Sequence, residues 1–167
     1  MTNASKRFLV LLGIVVLAQF IRPAANHAKN EVNGIEMVYP VPEAVAGILK
    51  KSCNDCHSNH TTYPWYSQIQ PVGWWLWWHV KEGKEELNFS EFATYSPRRA
   101  YHKLEEIKEQ VFIEKEMPLT SYTLMHRAAR LTDTDREALA QWAEQVRDSM
   151  RAHYPMDSLQ RKRKLTT

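Results

Sequence analysis

PEAVAGILKKSCNDCH, residues 42–57, joins a run of apolar residues at helical spacing to two cysteines and a histidine. The spacing predicts a helix that delivers the cysteines. Positions i and i+3 of a helix share one face, so the thiols of Cys53 and Cys56 can reach one porphyrin, with His57 under its iron. CxxCH is the attachment pattern of c-type haem. The stretch therefore predicts one covalent haem c, bound through Cys53 and Cys56, with His57 as an axial ligand of the iron.

The two cysteines are the only ones in the chain, and their closeness excludes a disulfide framework that joins distant segments. Two other hypotheses compete with haem. A thioredoxin-like redox pair follows a strand, whereas Cys53 follows an amphipathic helix. A zinc site that uses Cys53, Cys56, His57 and His60 would crowd its ligands into eight residues.

The rest of the chain predicts further helices and no convincing strand. Val72–Leu87 is a tryptophan-rich helix, and Ser96 and Pro97 are typical of a helix start. That third helix has the apolar stripe Tyr101, Leu104, Ile107 (or Val111) and Phe112, and Pro118 ends it. A last helix begins at Thr132 with a capping-box variant, and its stripe is Leu139, Trp142, Ala143, Val146 and Met150. We expect an all-α, cytochrome-c-like helical domain around one covalent haem.

The N-terminus predicts a targeting segment, because Lys6 and Arg7 precede a nearly unbroken apolar run over residues 8–21. This segment is either a signal anchor or a cleaved signal peptide. Both place the domain on the periplasmic side of the inner membrane, tethered in the first case and soluble in the second. The predicted organisation is residues 1–23 as the targeting segment, 24–38 as a linker, 39–155 as the haem domain and 156–167 as a basic tail.

The second axial ligand of the iron is a separate question. Met117 is the best candidate, because Pro118 holds the chain extended after the third helix and lets the thioether project toward the iron. A methionine in such a junction otherwise fills the core. Its competitors are His60, His79, His102, His126 and Met125.

Trp74 and Trp78, with Trp77, are expected to wall in the haem. A membrane-interface belt or an electron relay is the alternative. The basic run 161–164 is expected to be a solvated tail, or a patch that steers an acidic partner or anionic headgroups.

The composition bears on function by exclusion. Charged residues make up 25% of the chain and the net charge is +3, with basic and acidic residues alternating, so no nucleic-acid partner is expected. No Ser-His-Asp set, phosphate loop or paired-carboxylate site indicates hydrolase or transferase chemistry. We expect an electron carrier rather than a catalyst.

The sequence resembles a family of small exported bacterial proteins described as haem-binding domains of cytochrome c type. The resemblance spans roughly residues 37–155. It lies in YPVP (39–42), CNDCHSNHTTYPWY (53–66), QPVGWW (70–75), LNFSEF (87–92), SPRRAYHKLEEI (96–107) and EMPLTSYTLMH (116–126). It implies haem binding at Cys53, Cys56 and His57, with Met117 as the distal ligand.

Three functions follow as hypotheses. The favoured one is a periplasmic or membrane-tethered monohaem cytochrome that transfers one electron to or from a redox partner protein or respiratory-chain component. The second is a haem-based sensor or peroxidase-like enzyme whose sixth iron site is open or displaceable. The third is a structural or metal-binding module without haem.

Overall fold

The computed structural model describes residues 2–28 and 32–160, and within these ranges it contains helices and no β-strand. The predicted all-α class is therefore confirmed. The basic run 161–164 lies outside the described residues. The helices are α1 (Asn3–Ala18), α2 (Glu43–Ser52), α3 (Asn54–His57), α4 (Val72–Glu86), α5 (Pro97–Lys108), α6 (Thr120–Met125), α7 (Asp133–His153) and α8 (Met156–Leu159). Short 3₁₀ turns occupy Ile35–Met37, Trp65–Gln68, Phe89–Thr94 and Arg127–Ala129, and a π-helical turn occupies Glu109–Ile113.

The hydrophobic core is built around α5 and α7, which pack against each other, with α2 and α8 against them. The predicted stripe of α7 is buried along its whole length, from Leu139 to Met150. Leu104 of α5 is fully buried as well. Burial of this continuous apolar layer is the main favourable contribution to folding.

Both predicted helix starts are confirmed. The Ser96 hydroxyl accepts a hydrogen bond from the Arg99 backbone N–H, and Pro97 occupies the first turn of α5. At α7, the Thr132 hydroxyl accepts from the Asp135 N–H at 3.1 Å, and the Asp135 carboxylate accepts from the Thr132 N–H at 3.0 Å. Two N–H groups that the helix leaves without partners are thereby satisfied.

Replacing Thr132 with alanine is expected to lower the free energy of unfolding by about 1 kcal/mol, because the N–H of Asp135 loses its acceptor. Urea unfolding followed by circular dichroism measures this change. Thr134→Ala is the control, since Thr134 is an exposed residue of the same first turn and takes no part in the capping box. Equal losses in the two variants would contradict the assignment.

The motif does not continue the helix before it, contrary to the prediction. The helix α2 ends at Ser52, and Cys53 has φ −124° and ψ −44°, outside helical values. The motif instead forms the separate short helix α3. Cys53 therefore separates α2 from α3, and Cys56 and His57 lie on the second of these two helices.

The third predicted helix is shorter than expected, and Phe112 was wrongly assigned to its buried stripe. Regular α-helix ends at Lys108, and the π-helical turn follows. A π turn takes in an extra residue, which shifts the side chains that follow it around the axis. Val111 consequently stays buried while Phe112 is 42% exposed.

The ends of the domain also differ from the predicted boundaries. Ile35, placed in the predicted linker 24–38, is fully buried in the core. Asn26 of the same stretch donates through Nδ2 to the Ser58 carbonyl and the Thr61 hydroxyl. Leu159, beyond the predicted end at 155, is buried too. The apolar side chains at 35 and 159 therefore extend the packed domain in both directions.

Helix α1 contains Lys6, Arg7 and residues 8–18 of the N-terminal apolar run, and none of its side chains is buried. In the described ranges, no helix combines the length and the hydropathy that crossing a membrane requires.

Candidate functional site

A cavity of about 720 Å³ lies between the CxxCH motif and the helices α4, α5 and α7. Its volume falls in the range of sites for cofactor-sized ligands, about 300–1,000 Å³. Four of the residues that the sequence singled out line it together: Cys53, Cys56, His57 and Met117. The other apolar residues of its wall are Leu49, Leu87, Phe89, Ile107, Val111, Pro118, Leu119, Leu131 and Leu139.

The motif forms one helical turn with both cysteines on the cavity wall. The Cys53 carbonyl accepts from the N–H groups of Cys56, at 3.1 Å, and His57, at 2.9 Å. The one-turn spacing predicted for the two thiols is therefore present, although the helix that holds it is not α2.

Helix α4 lies directly on this turn at Gly83. A Cβ atom at position 83 would stand 2.8 Å from the Cys56 carbonyl oxygen and 3.2 Å from the Cys56 Cβ. Both distances are shorter than ordinary van der Waals contact. Glycine at this position thus permits the close approach of α4 to the motif.

His57 is oriented by the carboxyl end of α4. Its Nδ1 lies 2.9 Å from the Gly83 carbonyl oxygen and 3.0 Å from the Leu87 carbonyl oxygen. Carbonyls only accept, so Nδ1 carries the proton and Nε2 keeps its lone pair. Burial lowers the pKa of His57, although the two carbonyls oppose that shift. The imidazole is therefore neutral near pH 7, the form that binds metal.

The environment of the cysteines does not fit a redox-active dithiol. Burial raises the pKa of Cys53 to about 12, and burial with the nearby Asp55 raises that of Cys56 to about 11. Reactive cysteine pairs instead have lowered pKa values. In residues 2–28 and 32–160, no three His, Cys, Asp or Glu side chains are gathered as a metal site. The thioredoxin-like and zinc hypotheses thus gain no support here.

Met117 belongs to the segment between the π-helical turn and α6, and its backbone is fixed from two sides. Its N–H donates to the Gln110 carbonyl at 3.1 Å, and its carbonyl accepts from Arg136 Nη1 of α7 at 2.9 Å. The side chain is partly buried against the core and lines the cavity. The Met117 thioether, 60 positions after His57 in the sequence, thus lines the same cavity as the His57 imidazole.

Of the competing ligands, only His79 lines this cavity. Its Nδ1 lies 2.9 Å from the Trp75 carbonyl oxygen, so that nitrogen carries the proton. His126 stacks on Tyr122, with ring centroids 4.3 Å apart. His60 lies against His27, His102 is on the exposed side of α5, and Met125 is exposed.

Trp74 and Trp78 are absent from the cavity wall, contrary to the prediction. The Trp74 Nε1–H donates to the Ile21 carbonyl at 2.8 Å, beside the end of α1, and Trp78 is 51% exposed. Helix α4 turns its later residues, around Gly83, to the cavity instead. The tryptophans are therefore held on other faces of the same helix.

Several cavity residues were missed by sequence reasoning. Tyr122 donates to Asp55 Oδ2 at 2.7 Å, and burial followed by the Asp55 charge raises the pKa of Tyr122. Lys103 Nζ pairs with Glu86 and Glu106 carboxylates at 3.0 and 2.6 Å. From helical spacing, the sequence predicts only that Glu86, Lys103 and Glu106 lie on polar helix faces. Their position at one cavity depends on how α4 packs against α5.

The comparisons with known proteins give one family match. The model of a protein family described as "Haem-binding domain" matches residues 13–145. No curated protein matches the chain, and no solved structure does. The matched range contains the whole CxxCH motif and Met117.

Proposed function

The chain belongs to the haem-binding domain family, and on this premise we propose that it is a monohaem c-type cytochrome that transfers one electron. The observation that carries the proposal is the shared cavity of Cys53, Cys56, His57 and Met117. Two thiols and an imidazole are the groups that a covalent haem requires, and a thioether in the same mainly apolar cavity suits iron ligation by His and Met. The residues present therefore fit the cofactor.

Each side chain has a distinct task in this proposal. Cys53 and Cys56 would hold the porphyrin through thioether bonds, and His57 would bind the iron through Nε2. The two carbonyls on Nδ1 hold the ring in place and increase the basicity of Nε2. Met117 would supply a second protein ligand for the iron, and methionine raises the reduction potential relative to a second histidine. The bound haem supplies an iron that accepts and releases one electron.

The proposed location is the periplasmic side of the inner membrane. Support for export and anchoring comes from Lys6 and Arg7 of α1, which precede the apolar residues 8–18 of the same helix. The proposed partner is a redox protein or a component of a respiratory chain. His57 and Met117 would both hold the iron, so such a partner would exchange electrons with the haem without binding to the iron itself.

A second candidate function is a haem sensor or peroxidase-like enzyme with an open or displaceable sixth site. The presence of His79 and Tyr122 in the cavity wall favours this alternative, because both add polar groups to the cavity that would hold the haem. The two candidates differ in the predicted state of the iron. The electron-transfer proposal, with His57 and Met117 both bound to the iron, predicts a low-spin iron, whereas an open sixth site predicts a high-spin iron.

Absorption spectra of the haem-loaded protein test the proposal. The oxidised wild type is expected to be low-spin, to show the weak long-wavelength band of thioether-to-iron bonding, and to bind carbon monoxide poorly when reduced. Met117→Ala is expected to lose that band and to bind carbon monoxide readily, because one axial position is opened.

Two variants serve as controls. Met125→Ala removes an exposed methionine and is expected to leave every spectrum unchanged. His79→Ala tests the remaining cavity histidine. A wild-type spectrum that changes in His79→Ala and not in Met117→Ala would assign the sixth ligand to His79. A high-spin wild type would favour the sensor or enzyme.

A further inference from the structure

One part of the surface is unusually apolar for this chain. Residues 61–80 contain no Asp, Glu, Lys or Arg, although a quarter of the whole chain is charged. Within this stretch five large apolar side chains are between 40% and 76% exposed. They follow one another at steps of three or four positions, and we name them the aromatic face: Trp65, Ile69, Val72, Trp75 and Trp78.

The aromatic face is formed by the turn Trp65–Gln68 and the start of α4, and these two elements are in close contact at Gly73. A Cβ atom at that position would collide with the Ser67 carbonyl oxygen and would stand 2.9 Å from Gln70 Oε1. The turn Trp65–Gln68 therefore lies directly on the first turn of α4. Side chains from the turn and from the helix consequently form one continuous surface.

Helix α1 is attached at the middle of this surface. Gln19 and the Gln70 backbone exchange two hydrogen bonds, of 2.9 and 3.3 Å. The Ile21 carbonyl accepts from Trp74 Nε1 at 2.8 Å, and Arg22 Nη1 donates to Gln68 Oε1 at 2.7 Å. The end of α1 and the aromatic face are therefore neighbours, and both contact the same surroundings.

We propose that the aromatic face docks on a lipid bilayer, beside the point where α1 enters it. Residues 8–18 of α1 are apolar on all sides and none of their side chains is buried, so this part of the helix belongs in a hydrocarbon environment. It is about 16 Å long, at 1.5 Å per residue. Tryptophans are favoured at the boundary between hydrocarbon and headgroups, because their rings have an apolar body and one polar N–H. The inference rests on the proposed placement of α1 in the membrane.

Cations border the face where headgroup phosphates would lie. Arg22 stands at the end of α1, and Lys81 follows the last residue of the charge-free stretch. The Lys81 ammonium is 5.5 Å from the centre of the Trp77 ring and 5.9 Å from that of Trp78. Anionic lipids attract such residues. The face thus combines apolar insertion with charge complementarity to a bilayer surface.

The same arrangement brings the cavity close to the lipid. The rings of Trp75 and His79 are 4.2 Å apart, and His79 lines the cavity. One helical turn of α4 therefore separates the aromatic face from the candidate haem site. Docking would place that site near the membrane surface, within reach of a membrane-bound redox partner.

The rate at which engineered cysteines react with a membrane-impermeant maleimide tests the docking. Full-length haem-loaded protein is added to vesicles of phosphatidylcholine and phosphatidylglycerol, and peptide mass spectrometry assigns the label to each position. Ile69→Cys reports on the aromatic face, and Val15→Cys reports on α1. Ile113→Cys is the control, because Ile113 is an isoleucine of similar exposure on a different segment.

In vesicles, Ile69→Cys is expected to react about tenfold more slowly than Ile113→Cys, a factor equal to about 1.4 kcal/mol of docking free energy. Val15→Cys is expected to be protected as well. Protection at Val15 alone would overturn the docking of the face and leave the anchor intact. Equal, fast labelling at all three positions would overturn both. Trp65→Ser with Trp75→Ser is expected to restore fast labelling at Ile69→Cys without exposing Val15→Cys.

Discussion

The double variant Cys53→Ala, Cys56→Ala is expected to lose covalent haem completely, while the wild type carries one haem per chain. These are the only cysteines in the protein, so no other thiol can replace them in attachment. Co-expression with haem-attachment machinery, followed by mass spectrometry of the denatured chain, measures the effect. The wild-type mass is expected to exceed that of the polypeptide by one haem, and the double variant to match the polypeptide alone.

The single variants make this experiment sharper. Cys53→Ala and Cys56→Ala should each retain at most one thioether bond, which changes the spectrum of the reduced haem in pyridine. Ser52→Ala is a matched control, since Ser52 lines the same cavity without a thiol. A wild-type chain whose mass equals the bare polypeptide would refute covalent attachment, even if haem remained bound before denaturation.

Gly83→Ala is expected to destabilise the haem-loaded protein by about 1 kcal/mol, the difference between an overpacking cost and a gain in helix propensity. Alanine favours a helix over glycine by about 1 kcal/mol, which alone would stabilise α4. The new Cβ would stand 2.8 Å from the Cys56 carbonyl oxygen, however, and that atom belongs to the backbone. Relief requires α4 to move away from the motif, and overpacking of this kind costs typically about 1–3 kcal/mol or more. Urea unfolding of the holoprotein measures the net change.

Gly47→Ala provides a control with the opposite expected sign. Gly47 also lies inside a helix, α2, and a Cβ there would meet nothing within 4 Å. Its replacement is expected to stabilise the protein by about 0.5–1 kcal/mol through helix propensity alone. Stabilisation by both variants would show that α4 does not depend on contact with Cys56. Movement of α4 should also weaken the hold on His57, visible as a changed spectrum in Gly83→Ala only.

The helices that carry local signals were predictable from the sequence. Ser96 with Pro97 and Thr132 with Asp135 are short-range patterns whose physics acts within one helical turn, and the structure confirms both starts. The apolar stripe of α7 was equally clear, because its spacing of three and four residues has a single interpretation. Covalent haem chemistry at CxxCH remains a prediction, supported at the coarser level by the family match.

Features that depend on packing were not predictable. Phe112 continued an apolar stripe in the sequence, yet the π-helical turn rotated it outward. Trp74 and Trp78 were assigned to the haem wall because large apolar rings suit it, whereas the direction in which α4 faces is decided by its contact at Gly83. The partnership of Asp55 with Tyr122 joins residues 67 positions apart. No local pattern encodes such contacts.

The close contact between α4 and the CxxCH motif also has a consequence for the order of haem attachment and folding. An attachment enzyme needs simultaneous access to both thiols, but in the folded chain Cys56 lies against Gly83 and His57 is tied to the last turn of α4. We therefore expect haem attachment to occur before folding, while α4, which residues 58–71 connect to the motif, is not yet packed against it. If haem is attached to an exported chain as proposed, folding is the final step of its biogenesis, and a chain that folds before attachment cannot receive the haem.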